Sequence, residues 1–149
     1  MIKGVWRQIR STAKIDPARH SPITSPDRLH SFAYALSGCL YMLRRQKNTR
    51  IQLLASSAVV AAGLWLDIDA GDWAILILTM GGVWVAEFIN AAIEATVNLQ
   101  VNELHPMAKV AKDVAAAAVL IAAVVALLVG ALMLGPPLAA KLLASAASN

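Results

Sequence analysis

The sequence predicts an all-α integral membrane protein: three membrane-spanning helices preceded by an amphipathic surface helix. Three observations lead there. The chain has 149 residues, of which 58% are hydrophobic and only 15% charged, too apolar for an ordinary soluble domain. Three apolar runs of crossing or near-crossing length follow one another: Ile51 to Leu66, Trp73 to about Leu99, and Val114 to Leu134, the last with no charge. Basic residues are also one-sided. Ten of the thirteen Lys and Arg precede Ile51, whereas the stretch Asp67 to Asp72 has three Asp and no base.

Residues 1–27 are polar and basic and contain Pro17, Pro22 and Pro26, so they are expected to form a poorly ordered arm. Val5, Trp6 and Ile9 could rest on a membrane surface. The first thirty residues hold no apolar core segment, so no signal peptide is expected. From Arg28 the pattern changes. Leu29, Phe32, Leu36, Leu40 and Leu43 recur at intervals of three and four, which predicts an amphipathic helix over 28–45 with Asp27 as its N-cap. Arg28, Ser31, Tyr34 and Arg45 lie off that stripe. A place at the membrane surface is the natural reading, and packing on a partner subunit is the alternative.

The spans are expected at about 49–66, 73–99 and 106–134, with a C-terminal tail over 136–149. The first is short, and its flanks RRQKNTR and DIDAGD make up the difference. Ser56, Ser57 and Gly63 in the first span and Gly81 and Gly82 in the second are small residues that permit close helix packing. The charge asymmetry places the N-terminus and the 95–112 link in the cytoplasm. Trp65 and Trp73 flank the outer Asp loop, where interfacial aromatics belong, and only Lys141 runs against the trend. The net charge of +4 then reports topology and contact with anionic lipid, not nucleic acid. A lone Cys39 excludes an internal disulfide framework and a cysteine metal cluster.

One feature breaks the apolar pattern. Glu87, Asn90 and Glu94 sit at i, i+3 and i+7 in the second span, within roughly 60° of one another on a helix. Counting inward from Trp73, Glu87 lies about 21 Å down a helix against a hydrocarbon thickness of roughly 30 Å. Ionisable groups at such depth are a functional hypothesis by default. Glu94 reaches the cytoplasmic boundary. Pro106 suits the first turn of the third span, which brings Lys109, Lys112 and Asp113 to the height of Glu94.

A carboxylate in apolar surroundings can act as a general base near neutral pH, oriented here by a hydrogen bond from Asn90. A boundary carboxylate can hold Mg²⁺ together with phosphate oxygens, and a lysine with helix N-terminal amides can take phosphate. Structural readings stand beside these: Lys109 can pair with Asp113 at i+4, and His105 can be a loop residue. Neither common Gly-rich phosphate loop is present, so an ATP-dependent lipid phosphotransferase built on this stripe is of an unusual kind.

The run E-x-x-N-x-x-x-E at Glu87, Asn90 and Glu94, then ELHPMAKVAKD at 103–113, resembles the small prokaryotic diacylglycerol kinase and undecaprenol kinase family. SFAYALSG at 31–38 and NTRIQL at 48–53 extend the resemblance, from about Arg28 to Leu134. It implies a membrane lipid kinase domain over 28–135, assembled as a homotrimer with active sites shared between subunits. It also implies ATP as co-substrate, Mg²⁺ as cofactor, and a lipid in the bacterial inner membrane as acceptor.

Carried over by position, Glu87 matches the base, Asn90 its neighbour, and Glu94 a metal-binding glutamate. Glu103, His105, Lys112 and Asp113 match nucleotide contacts, as do Arg28 and Tyr34. Two positions depart from the family pattern. Gln46 stands where a second metal-assisting glutamate is common, and Asn98 where many members have Asp.

Diacylglycerol and undecaprenol are both open as acceptors. The His-Pro after Glu103 and the NTRIQL segment lean toward undecaprenol-type members. Two readings from other classes are a non-catalytic trimeric membrane scaffold, which Gln46 favours, and a proton-coupled transporter, supported by Glu87 alone.

Overall fold

The computed structural model describes residues 27–100 and 105–147, so the expected arm, apart from Asp27, lies outside the described residues, as does Glu103. All four described elements are helices: α1 (Arg28–Arg45), α2 (Lys47–Leu66), α3 (Ala70–Gln100) and α4 (Pro106–Ala147). Three of them, α2, α3 and α4, are long and apolar enough to cross a membrane. The fold class expected from the sequence is the one observed.

The described chain consists of two units. The first is α1 as far as Tyr41; the second begins at Met42 and holds α2, α3 and α4. In the first unit, Asp27 caps its helix: its Oδ1 accepts the backbone N–H of His30 at 2.8 Å. That N–H, and then the His30 ring, hold the Asp27 carboxyl below the usual carboxylate range. Leu29, Phe32, Leu36 and Leu40 form one exposed apolar face.

The second unit is a thin bundle. Its buried apolar side chains are few among the described residues, with Met42, Leu76 and Ala115 the most enclosed. Most Leu, Ile and Val side chains point outward, an arrangement that water would not tolerate over so large a surface and a bilayer would. The seam between α2 and α3 is closed by specific contacts. Trp84 Nε1 donates to Ser56 Oγ at 3.1 Å. Near the other end the Trp73 ring lies against Gly63, where an added Cβ would come within 2.8 Å of it. Only a residue without a side chain lets the ring approach so closely.

The turn between α2 and α3 is built by its aspartates. Asp67 ends α2 in the left-handed conformation (φ 54°), its N–H bonded to Gly63 O. Asp69 begins α3: its Oδ1 accepts the N–H groups of Gly71 at 2.7 Å and Asp72 at 3.0 Å.

α4 runs further than the expected span. It continues through Pro136 and Pro137 to Ala147 as one helix, so the segment from 136 is helical. Each proline removes one backbone donor, which leaves the carbonyls of Leu132 and Met133 without their helical partners. The extension is anchored. Lys141 Nζ donates to the Trp65 carbonyl, one of the last in α2, and its charge lies 4.7 Å from the Trp65 ring centroid. The one base that ran against the charge asymmetry therefore spends its charge on a helix end and an aromatic face.

The α3–α4 hairpin has a regular register. Lys112 meets Asn98 near the link, and Lys141 stands level with the first turn of α3. Both helices rise about 42 Å between those levels, since 28 residues separate Ala70 from Asn98 and 29 separate Lys112 from Lys141.

Candidate active site

The site is built where the polar residues of α2 and α3 meet. Glu87 is 3% exposed and Asn90 8%, the two most enclosed polar side chains on α3. Asn48, in the first turn of α2, and Glu94 both stand close enough to Glu87 to act on its carboxylate. Asn90 is turned the other way: its Nδ2 donates to Glu94 Oε1 at 3.5 Å. The sequence spacing suggests Asn90 as the group that orients Glu87; in this structure its amide nitrogen bonds Glu94. The i, i+4 partner on its own helix takes the Asn90 amide, and the neighbouring helix supplies Asn48 beside Glu87.

Glu87 and Asn48 stand at the polar end of a cavity of about 380 Å³ that runs along α2, α3 and α4 as far as Gly130. Its walls are otherwise mostly apolar, with Val59, Leu76, Met80 and Val83 among them. A second apolar groove, about 680 Å³, lies between α3 and α4 and includes Asn90.

Three buried side-chain atoms near this end have no hydrogen-bond partner among the described residues: Thr49 Oγ1, Gln52 Nε2 and Asn90 Oδ1. Each such group costs about 1–3 kcal/mol relative to a satisfied one. Of the three, Gln52 lines the same cavity as Glu87, and Asn90 lines the second groove.

Toward the link, Lys112 Nζ donates to Asn98 Oδ1 at 2.6 Å and ties the end of α3 to the start of α4. Lys112 thus stands one turn nearer the link than Glu94, and its partner is neutral. Lys109 is different. It pairs with Asp113, both exposed, as the i+4 spacing allowed. His105 caps α4, its Nδ1 accepting the Met107 N–H at 3.2 Å, with Pro106 as the first helical residue.

Gln46 is the half-buried N-cap residue of α2, and its side chain makes no capping hydrogen bond. Arg28 and Tyr34 are exposed on α1, in the other unit.

Among the described residues no three His, Cys, Asp or Glu side chains gather into a cage. Mg²⁺ carried by a nucleotide needs no cage, only one or two carboxylates beside phosphate oxygens. Glu94 fits, with the unpartnered Asn90 Oδ1 next to its carboxylate.

The sequence compares as this geometry would lead one to expect. The family model of prokaryotic diacylglycerol kinase matches residues 33–134, more than half of the chain. The chain belongs to that family. It is 41% identical over 115 residues to the diacylglycerol kinase of Synechocystis sp., covering 76% of this chain and 66% of that protein. It is 37% identical over 108 residues to the undecaprenol kinase of Bacillus subtilis, covering 72% of this chain and 88% of that protein. To the diacylglycerol kinase of Escherichia coli K12 it is 43% identical over 78 residues, covering 52% of this chain and 60% of that protein. The prokaryotic diacylglycerol kinase match contains every candidate site residue except Arg28. Of the polar residues that line the cavity with Glu87, reasoning from the sequence missed Asn48 and Gln52, although both lie in the NTRIQL segment that carried part of the resemblance.

Proposed function

We propose that the chain phosphorylates a membrane lipid alcohol with ATP, converting diacylglycerol to phosphatidic acid at the inner leaflet. Lipid kinase is what the family and the names of its relatives have in common. The observation that carries the reading is Glu87: a buried carboxylate, beside Asn48, at the polar end of an apolar cavity. A lipid hydroxyl can reach it with its chains still in apolar surroundings.

In the step itself, Glu87 accepts the proton of the lipid hydroxyl as its oxygen bonds to the γ-phosphorus of ATP. The bond from that phosphorus to the bridging oxygen breaks, and ADP leaves. Lys112 neutralises charge on the phosphoryl group in transit, and Asn90 and Glu94 line the path between base and nucleotide. Asp113, His105, Glu103, Arg28 and Tyr34 complete the nucleotide contacts that the resemblance implies. Mg²⁺, held by Glu94 with help from Gln46, would offset charge on the β- and γ-phosphates. The working unit in this reading is a homotrimer in the bacterial inner membrane, N-terminus in the cytoplasm, with active sites shared between subunits.

Undecaprenol is the second reading for the acceptor, favoured by the Bacillus relative, which this chain covers over most of its length. The test is transfer of labelled phosphate from ATP by the purified full chain in micelles containing either lipid. Labelled phosphatidic acid is the expected product. Turnover of neither lipid would leave the scaffold reading in its place.

A further inference from the structure

The inner end of α2 presents its polar side chains along one face, at Asn48, Gln52 and Ser56, each four residues from the next. All three line the same cavity as Glu87. Two have partners: Asn48 stands beside Glu87, and Ser56 accepts from Trp84 Nε1. Gln52, between them, is also a lining residue of the cavity, and its amide nitrogen is enclosed with no acceptor among the described residues. A donor in that position discriminates. It favours an occupant that brings an acceptor oxygen and disfavours one that leaves it unpaired.

We propose that Gln52 is a specificity-determining residue, its amide donating to an ester carbonyl oxygen of a diacylglycerol whose free hydroxyl lies at Glu87. The proposal rests on the lipid-kinase reading and decides which acceptor the site prefers. Its geometry follows from the helix. Gln52 is one turn beyond Asn48, about 6 Å further along α2, toward the end of the cavity marked by Gly130. The ester carbonyls of a diacylglycerol likewise lie on the acyl-chain side of its hydroxyl, a few bonds away. A polyprenol has a single oxygen. With that oxygen at Glu87, only hydrocarbon is left to face Gln52.

The experiment uses three acceptors with the purified full chain in micelles: a diacylglycerol, its dialkyl ether analogue with the same hydroxyl and no carbonyl, and a short polyprenol. Wild type is expected to favour the ester over the ether by about tenfold in kcat/KM, the size of one hydrogen bond worth about 1.4 kcal/mol. Gln52→Met, of similar size without a donor, should bring that ratio close to one. Gln52→Leu serves as a second variant should the first prove unstable. A wild type with no preference for the ester overturns the proposal whatever the variants do. So does an undiminished preference in Gln52→Met, or phosphorylation of the polyprenol alone, and in all three cases the lipid-kinase reading still stands. Only a wild type inactive on all three lipids removes that reading, and the proposal with it.

Discussion

Asn48 of α2 stands beside the Glu87 carboxylate of α3, so the candidate base has a polar neighbour from across a helix seam as well as on its own helix. The same seam carries the Trp84–Ser56 hydrogen bond and the close contact of Trp73 with Gly63. Polar and small residues are what hold helices together where hydrophobic burial gives no net gain. Here the adhesion between two spans and the placement of the base are one arrangement.

Glu87→Gln keeps the shape and the hydrogen-bonding capacity of the side chain but cannot accept a proton. Removal of a general base costs on the order of 10²–10⁴ in rate, so kcat is expected to fall by that factor with thermal stability retained. Turnover and thermal unfolding measured on one preparation check it. A purely structural Glu87 would give the reverse, a tolerated or stabilising amide with full activity.

Asn48→Ala removes the polar neighbour and leaves the base in place. A hydrogen bond to a charged group is worth about 1.5–3 kcal/mol, so kcat should fall roughly 10- to 100-fold. The KM for ATP should hold, because Asn48 acts on the base and is given no contact with the nucleotide. Steady-state kinetics in both substrates separates the two parameters, and a change in KM for ATP alone would count against the positioning role.

The three spans were legible because long apolar runs admit few other structures, and the Asp loop because Asp at a helix end has a specific capping use. The partners of Glu87 and Lys112 were not. A single polar residue near the end of a span, such as Asn48, reads as a flank until the neighbouring helix is in place. The missing information is register. In a helical hairpin, residues equidistant from the link face one another, which matches Asn48 with Glu87 across the Asp67–Asp69 turn; the Asn98–Lys112 pair is offset from that rule and needed the structure to show it. That α4 runs on past Pro136 was not legible, because two prolines ordinarily interrupt a helix, whereas here it continues with Lys141 anchored on Trp65.

The proposed metal roles of Glu94 and Gln46 are testable by charge alone. Glu94→Gln should raise the Mg²⁺ concentration needed for half-maximal activity, and Gln46→Glu should lower it, by severalfold in each case. A Mg²⁺ titration at fixed ATP reads both. If Gln46→Glu leaves the midpoint where it was, Gln46 does not face the metal.

Topology is open to a labelling experiment. In a Cys39→Ser background, Ala70→Cys places one thiol at the start of α3 without disturbing the Asp69 cap. The charge asymmetry predicts modification by a membrane-impermeant reagent from the outside of intact cells. Labelling only after the inner face is exposed would invert the proposed orientation.

The two lysines of α4 offer the sharpest contrast. Lys109 is in an ion pair with Asp113, so its charge is already answered. Lys112 rests on the neutral Asn98 oxygen, so its full charge remains for a phosphate. Losing one charge-assisted contact to phosphate costs about 1.5–3 kcal/mol, so Lys112→Ala is expected to lower kcat/KM for ATP roughly 10- to 100-fold. Lys109→Ala should cost far less. Asn98→Asp should fall between them, because the new carboxylate competes with phosphate for Lys112 without removing it. The order of the three variants, measured against ATP at saturating lipid, is the test. Equal losses in Lys109→Ala and Lys112→Ala would show that the two charges act only as part of a general basic rim.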